Sequence, residues 1–358
     1  MQRFKNILVV IDSQRSNELL LARAVALAQR NQARLTVVDV VAEAVAESLR
    51  SLETPSASSS ATSINIVEEL PGEEIAAGIE ADKSGIAEAG QAVMTPTASS
   101  IQEFIIETER QTVEQAVTMV RQAGIEVSGR ILTGTPFLEI IRQVLSHGHD
   151  LVMIMAEGAG GLREILFGST TMHLMRKSPC PVWVMKPTQA RSYRRILAAV
   201  NPDPQHENQD ALNKKIMDLA TSLASMEESE LLILHTWSVA MESVLRGKRS
   251  GLERQEVDRL VQQTRESHRQ YLLSLLADYS LDQIKQQVYL IKGEAADVIS
   301  NMARRQIDLI IMGTVGRTGV AGMLMGDTAE KVLHQVDCAV MAVKPDGFVT
   351  PVQPTDVG

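Results

Sequence analysis

The chain repeats itself. Offset by 158 residues, "DLVMIMAEGAGGLREILFGSTTMHLMRKSPCPVWVMKP" (150–187) aligns with "DLIIMGTVGRTGVAGMLMGDTAEKVLHQVDCAVMAVKP" (308–345), and eleven of the 38 positions are identical. Unrelated segments of ordinary composition would share about two or three. The starts correspond as well. "NILVVID" (6–12) answers "RILAAVN" (195–201), and "ARLTVVDV" (33–40) answers "SELLILHT" (229–236). Whatever one unit folds into, the chain must build twice.

Each unit alternates short apolar runs with helical patterns. In the second, "RILAAVN" and "ELLILHT" read as buried strands and 208–225 as a helix between them. A long helix is expected over about 252–278, then strand "QQVYLI", a helix near 294–305, strand "DLIIMG", a glycine loop, a helix from 327 and a last strand "CAVMAVKP". Strands that are continuously apolar, with helices between them, imply a parallel sheet covered on both faces. Right-handed crossovers then give a five-stranded doubly wound, Rossmann-like α/β unit. The domains expected are 1–188 and 192–346, with a tail over 347–358.

The first unit carries an extra piece at about 44–100. "TPSASSSATS" and "SGIAEAGQAVMTPTASS" are small and polar, and "VEELPGEE" is acidic. Such a segment buries too little apolar area to offset its ordering entropy. It is expected to be a flexible insertion with one short helix near 73–82, open to a regulatory role or to docking an unknown protein partner.

Length and charge narrow the class. At 358 residues the chain suits two domains of about 150 residues plus extra. A net charge of −9 with no basic stripe excludes a duplex nucleic-acid binder. No run reaches the roughly 18 apolar residues of a membrane span, and "MQRFKNILVVID" has no signal-peptide pattern, so the expectation is cytoplasmic with no membrane partner. Cys180 and Cys338, isolated from each other, read as buried thiols rather than a disulfide or a zinc pair. The 16 methionines read as core filler.

The loop "GTVGRTGVAGMLMGDT" (313–328) follows a strand and opens a helix. Its glycines Gly313, Gly316 and Gly326 would let backbone N–H groups approach phosphate, beside a helix N-terminus. This G-x2-G-x9-G spacing, the opening "ILVVID" strand and the final strand ending in Lys-Pro resemble the universal stress protein family. The duplicated layout is similar to its tandem members, and the match leaves out only the insertion and the tail.

The resemblance implies an adenine nucleotide alpha hydrolase-like fold with strand order 3-2-1-4-5. It also implies that the two units associate through their last strands as an intramolecular pseudo-dimer. Some members bind ATP and others do not. In those that bind, an Asp ends the first strand, three glycines admit ribose and phosphates, and a Ser or Thr follows the last glycine.

Carried over, neither half is intact. The first keeps Asp12, Gly158, Gly168, Ser169 and Thr170, but has Met155 where the first glycine belongs, with Glu157 and Glu164 in the loop. It is expected not to bind ATP. The second keeps Gly313, Gly316 and Gly326, with Arg317 and Thr318 as phosphate donors and Thr328 after the loop. It has Asn201 for the Asp and Asp327 for the Ser or Thr. Asp327 reads first as a helix N-cap, worth roughly 1 kcal/mol. A phosphate charge about 4 Å from it would meet roughly 1 to 4 kcal/mol of repulsion unless Mg²⁺ bridged the two. ATP or AMP with Mg²⁺ is therefore the cofactor the resemblance admits, in the second half alone.

Other features read as structural. His147 and His149 of "HGHD" are expected as solvated turn histidines, and "GTPFLE" (134–139) as a turn with Pro136 opening a helix. Asp39 and His235, at equivalent ends of the second strands, are candidates to line the clefts. No GxSxG elbow, HExxH or complete P-loop is present, so no catalytic residue is assigned. The leading expectation is a non-catalytic stress-response scaffold whose second unit holds an adenine nucleotide. The alternatives are a slow ATPase and an interaction protein with both clefts closed.

Overall fold

The computed structural model describes residues 4–42, 98–156, 167–186, 192–203, 207–247, 250–315 and 325–354. The helix expected near 73–82 and the loop residues Glu157, Gly158, Glu164, Gly316, Arg317 and Thr318 lie outside these. Residues 1–43 and 108–358 form one compact unit and 44–107 another, of which the opening of one helix is described.

The first half runs β1 (Asn6–Val10), α1 (Glu18–Asn31), β2 (Arg34–Ala42), α2 (Ala98–Gln122), β3 (Val127–Gly134), α3 (Pro136–His147), β4 (Leu151–Met155), α4 (Ser169–Lys177) and β5 (Val182–Met185). The second begins β6 (Arg195–Val200), α5 (Glu207–Glu227), β7 (Glu230–Trp237), a short α6 (Glu242–Leu245) and α7 (Arg254–Leu276). It ends β8 (Gln286–Lys292), α8 (Ala295–Ala303), β9 (Leu309–Gly313), α9 (Asp327–Leu333) and β10 (Ala339–Val343). The helices expected in the second half are present within a few residues, and α3 opens on Pro136. The exception is α6, four residues too short to leave a periodic pattern.

The strands form one ten-stranded sheet in the order β3-β2-β1-β4-β5-β10-β9-β6-β7-β8. Each half is a parallel 3-2-1-4-5 unit, and the two join where β5 runs antiparallel to β10. β1 and β10 are buried at every position, as central strands covered on both faces must be. The duplicated Asp that opens each block has a structural role. Asp150 accepts the backbone N–H groups of Lys5 and Asn6, and Asp308 those of Arg194 and Arg195, so each pins the start of its unit's first strand.

Two cores flank the sheet, and both extend through the two halves. One lies under α1, α2, α5 and α7, the other under α3, α4, α8 and α9. Leu20, Leu21, Ala24, Leu27 and Ala28 give α1 a buried face, each leucine contributing roughly 1.5 to 3 kcal/mol. At the junction Trp183 donates to Tyr193 Oη at 3.2 Å, and Arg23 of α1 reaches Glu227 of α5 at 2.6 Å. The Arg23 guanidinium also sits 3.8 Å from the Tyr193 ring centroid. On the other face Arg176 of α4 pairs with Glu330 of α9.

Three expectations need adjusting. His149 is buried rather than solvated, and burial, aided by nearby His147, pulls its imidazole down to about 4. Only His147 of the pair is exposed. The tail is not wholly outside the domain, because Val352 returns to the core. Asp39 and His235 do not end their strands: they lie within β2 and β7 and are buried. The two cysteines are free and buried, with burial pushing each thiol up to about 12. Among the described residues no helix is long and apolar enough to cross a membrane.

Candidate functional site

In a doubly wound sheet, ligands gather outside the carboxyl ends of the strands, where the order reverses. In the first half that point is the turn after β1. Asp12 lies there, and its own chain uses it. Arg15 Nε holds the carboxylate at 3.0 Å, and the Gln14 N–H donates to it at 2.9 Å. Arg15 extends onward to the Ala156 carbonyl, 3.2 Å away, beyond the end of β4. A side chain of the protein thus bridges the turn after β1 and the end of β4.

The turn is held from below by Asn17. Its Oδ1 accepts the Asp12 N–H at 3.2 Å and its Nδ2 donates to the Asp12 carbonyl at 2.8 Å. The second half repeats the clasp with Asn213, whose Oδ1 accepts the Asn201 N–H at 2.8 Å. That bond fixes which end of the amide is oxygen. Asn213 Nδ2 is then left buried with no acceptor. Neither asparagine was singled out from the sequence. The spacings differ, five residues in one half and twelve in the other, so the duplication hides the correspondence.

Gly313 ends β9 for a reason of packing. A Cβ there would come within 2.8 Å of Leu212 Cδ2, so the glycine makes room for a leucine of α5. In the first half the residue before the clasp is the exposed Ser16, and Met155 takes the glycine's place, packed against the core. Large and small have exchanged positions between the halves. The space a first glycine opens for ligand is filled by Met155 in one half and approached by Leu212 in the other.

The second loop is tied at its neck. Thr314 N–H donates to the Val343 carbonyl at 3.2 Å, and the Thr314 carbonyl accepts the Gly326 N–H at 2.9 Å. Gly326, not Asp327, is the N-cap of α9, and no side chain caps it. Asp327 is the first helical residue and is exposed, while Thr328 is half-buried. The cap expected at Asp327 is displaced by one residue, because the bond to Thr314 holds Gly326 in an extended conformation. In the first half Gly168 caps α4 and its carbonyl accepts the Thr171 hydroxyl at 2.8 Å. Ser169 is exposed there and Thr170 half-buried. The structure thus brings Asn201, Gly313, Gly326, Asp327 and Thr328 to one edge, and Asp12, Met155, Gly168, Ser169 and Thr170 to another.

Asp39 and His235 face helices rather than open clefts. Asp39 accepts the N–H groups of Ser13 at 3.2 Å and Val40 at 2.7 Å. Burial, reinforced by the Glu109 carboxyl of α2, pushes Asp39 up to about 8. His235 contacts His268 of α7, Nε2 to Nδ1, at 2.8 Å. The helix partners Glu109 and His268 left no mark in the sequence. Among the described residues no cluster of three or more His, Cys, Asp or Glu could hold a metal.

Comparison with known proteins bears on the family and the fold. The model of the universal stress protein family matches twice, over residues 3–186 and 192–344. Universal stress protein E of Escherichia coli (strain K12) is 30% identical over 239 residues, covering 65% of this chain and 73% of that protein. A homologue in Haemophilus influenzae is 25% identical over 258 residues, covering 69% and 79%. Among solved structures, a functionally unknown protein from Pseudomonas aeruginosa PAO1 superposes with a TM-score of 0.62 at 20% identity, covering 96% of this chain and 94% of its own. A universal stress protein from Archaeoglobus fulgidus DSM 4304 superposes with a TM-score of 0.55 at 15% identity, covering 95% and 98%.

Proposed function

Because the chain belongs to the universal stress protein family, we propose that it acts in the stress response as a non-catalytic scaffold. Its first cleft is closed to nucleotides by its own side chains. The observation that carries this is Arg15, which binds both Asp12 and the carbonyl of Ala156 across the cleft mouth. A nucleoside entering there would have to displace a solvent-exposed ion pair of the kind worth roughly 0 to 1 kcal/mol, with Met155 still beneath it. Cytoplasmic residence is part of the same proposal and draws support from the two free thiols, which suit a reducing compartment.

A second reading concerns the second cleft, and Asn213 favours it. A buried amide donor without an acceptor costs about 1 to 3 kcal/mol. A ligand oxygen reaching it would recover that cost. An adenine nucleotide with Mg²⁺ is the family-consistent occupant, and it would need Leu212 to withdraw.

Calorimetric titration of Mg²⁺-ATP into the whole chain tests both. The expected outcome is at most one site per chain; two equal sites would overturn the closed first cleft. If one site is found, Asp327→Ser tightens it where the carboxylate repels phosphate and abolishes it where the carboxylate shares the cation. No heat, together with no ATP or AMP copurifying by mass spectrometry, leaves the scaffold reading alone.

A further inference from the structure

The junction between α1 and α5 occurs twice, once on each side of the seam, and the two copies differ in one buried side chain. Their equivalence is carried by matching hydrogen bonds. Each helix is followed by a left-handed residue, Gln32 in the first half and Glu228 in the second. Each then makes the same return bond, Ala33 N–H to the Ala28 carbonyl and Ser229 N–H to the Ala224 carbonyl. Ahead of the first strand of each half, the Phe4 N–H donates to Asn31 Oδ1 at 3.2 Å and the Tyr193 N–H to Glu227 Oε2 at 3.0 Å. Phe4 therefore corresponds to Tyr193, Asn31 to Glu227 and, a little over two turns back along each helix, Leu219 to Arg23. Trp183 and Met341, related by the 158-residue offset, pair with each other across the seam.

One copy is filled from within. The buried Arg23 guanidinium lies 3.8 Å from the Tyr193 ring centroid and 2.6 Å from the Glu227 carboxylate, and Trp183 donates to the Tyr193 hydroxyl. In the other copy Leu219 brings no cation, and a cavity of about 810 Å³ opens, a size typical of small-molecule sites. Its floor is apolar and buried: Phe4, Leu27, Leu219 and Leu223. Its walls are rich in acceptors. Asp218 and Asp278 bring carboxylates, and Thr221, Ser222, Ser225 and Ser280 bring hydroxyls. Thr221 spends its proton on the Met217 carbonyl at 2.8 Å, so toward a ligand its oxygen can only accept. Asp278 also binds Lys214 at 3.0 Å through one of its two oxygens. Arg30, the cation among the lining residues, is exposed on the last turn of α1.

We propose that this cavity binds a small organic cation, a guanidinium or ammonium head on an aliphatic stem, in the place that Arg23 fills in the other copy. The stem suits the leucine floor, and the Phe4 ring corresponds to the Tyr193 ring on which the Arg23 guanidinium rests. The negative charge comes from a different residue in the two copies. Asn31, standing for Glu227, is neutral, with its oxygen on the Phe4 N–H and its nitrogen on the Leu27 carbonyl. Asp218, adjacent to Leu219, supplies the carboxylate instead. None of the lining residues belongs to the turns after β1 and β6 or to either glycine loop, so the site is separate from the nucleotide clefts.

The probe is agmatine, which is arginine without its carboxylate. Calorimetric titration into the whole chain is expected to show one saturable site, unaltered by Mg²⁺-ATP. Asp218→Asn should weaken it roughly ten- to hundredfold, the range of a lost hydrogen bond to a charged group. Leu219→Arg supplies the head from the chain itself and should abolish binding; Ser222→Lys, reaching in from the wall, serves if that variant folds poorly by circular dichroism. Arg23→Ala removes the guanidinium from the filled copy, and the folded variant should take up a second agmatine there. No saturable heat with the wild-type chain, an affinity for hexanoate equal to that for agmatine, binding that survives Leu219→Arg, or no second site in folded Arg23→Ala would overturn the inference.

Discussion

Gly313 shows how a single residue can carry a motif's appearance for another purpose. Its spacing matches a phosphate loop, and its physical constraint is the Leu212 side chain. Gly313→Ala should destabilise the chain by about 1 to 3 kcal/mol through overpacking. Adding Leu212→Ala should recover part of that loss. Denaturant unfolding of the two single variants and the double forms a mutant cycle. Strict additivity would show that the two residues do not share the space. Asp327 makes the complementary point. Its residue type is right for a cap, but a cap position is set by backbone geometry, and the bond from Gly326 to Thr314 assigns that geometry to the glycine.

Secondary elements were legible in the sequence where burial is two-sided. The central strands are unbroken apolar runs whose number follows from internal comparison of the repeats, while their order in the sheet came with the family resemblance. What lay hidden are contacts between elements. Asn17, Asn213, Glu109 and His268 are ordinary residues on helices or helix entrances, and only the docking of a helix decides which of its polar residues meets a strand. β3 against α2 illustrates how close that docking is. A Cβ at Gly129 would meet Val113 Cγ1 at 2.6 Å and Val117 Cγ2 at 2.8 Å. Gly129→Ala should therefore push α2 from the sheet, costing about 1 to 3 kcal/mol. The exchange protection of α2 peptides should fall while that of α7 peptides holds. Equal loss in both helices would mean that the two packings are not independent. The glycine loops are the remaining gap: the sequence shows their spacing, and the described residues fix only their necks.

At the scale of the whole molecule, the two repeats share one sheet and two continuous cores, so they should melt together. A single calorimetric transition is expected for the chain, with two resolved transitions as the contrary outcome. Arg23→Ala removes one partner of a buried ion pair between α1 and α5 and leaves Glu227 without its arginine. About 3 to 5 kcal/mol is the usual cost of breaking such a pair. The loss should lower that one transition rather than split it. The antiparallel seam between β5 and β10 has a further consequence. Strands of the two repeats run in opposite directions, so their carboxyl ends emerge on opposite rims of the sheet. Anything held on one rim is screened from the other by the full height of the strands. The two rims differ accordingly: one carries an arginine that reaches from the β1–α1 turn to the end of β4, and the other a buried amide donor without an acceptor.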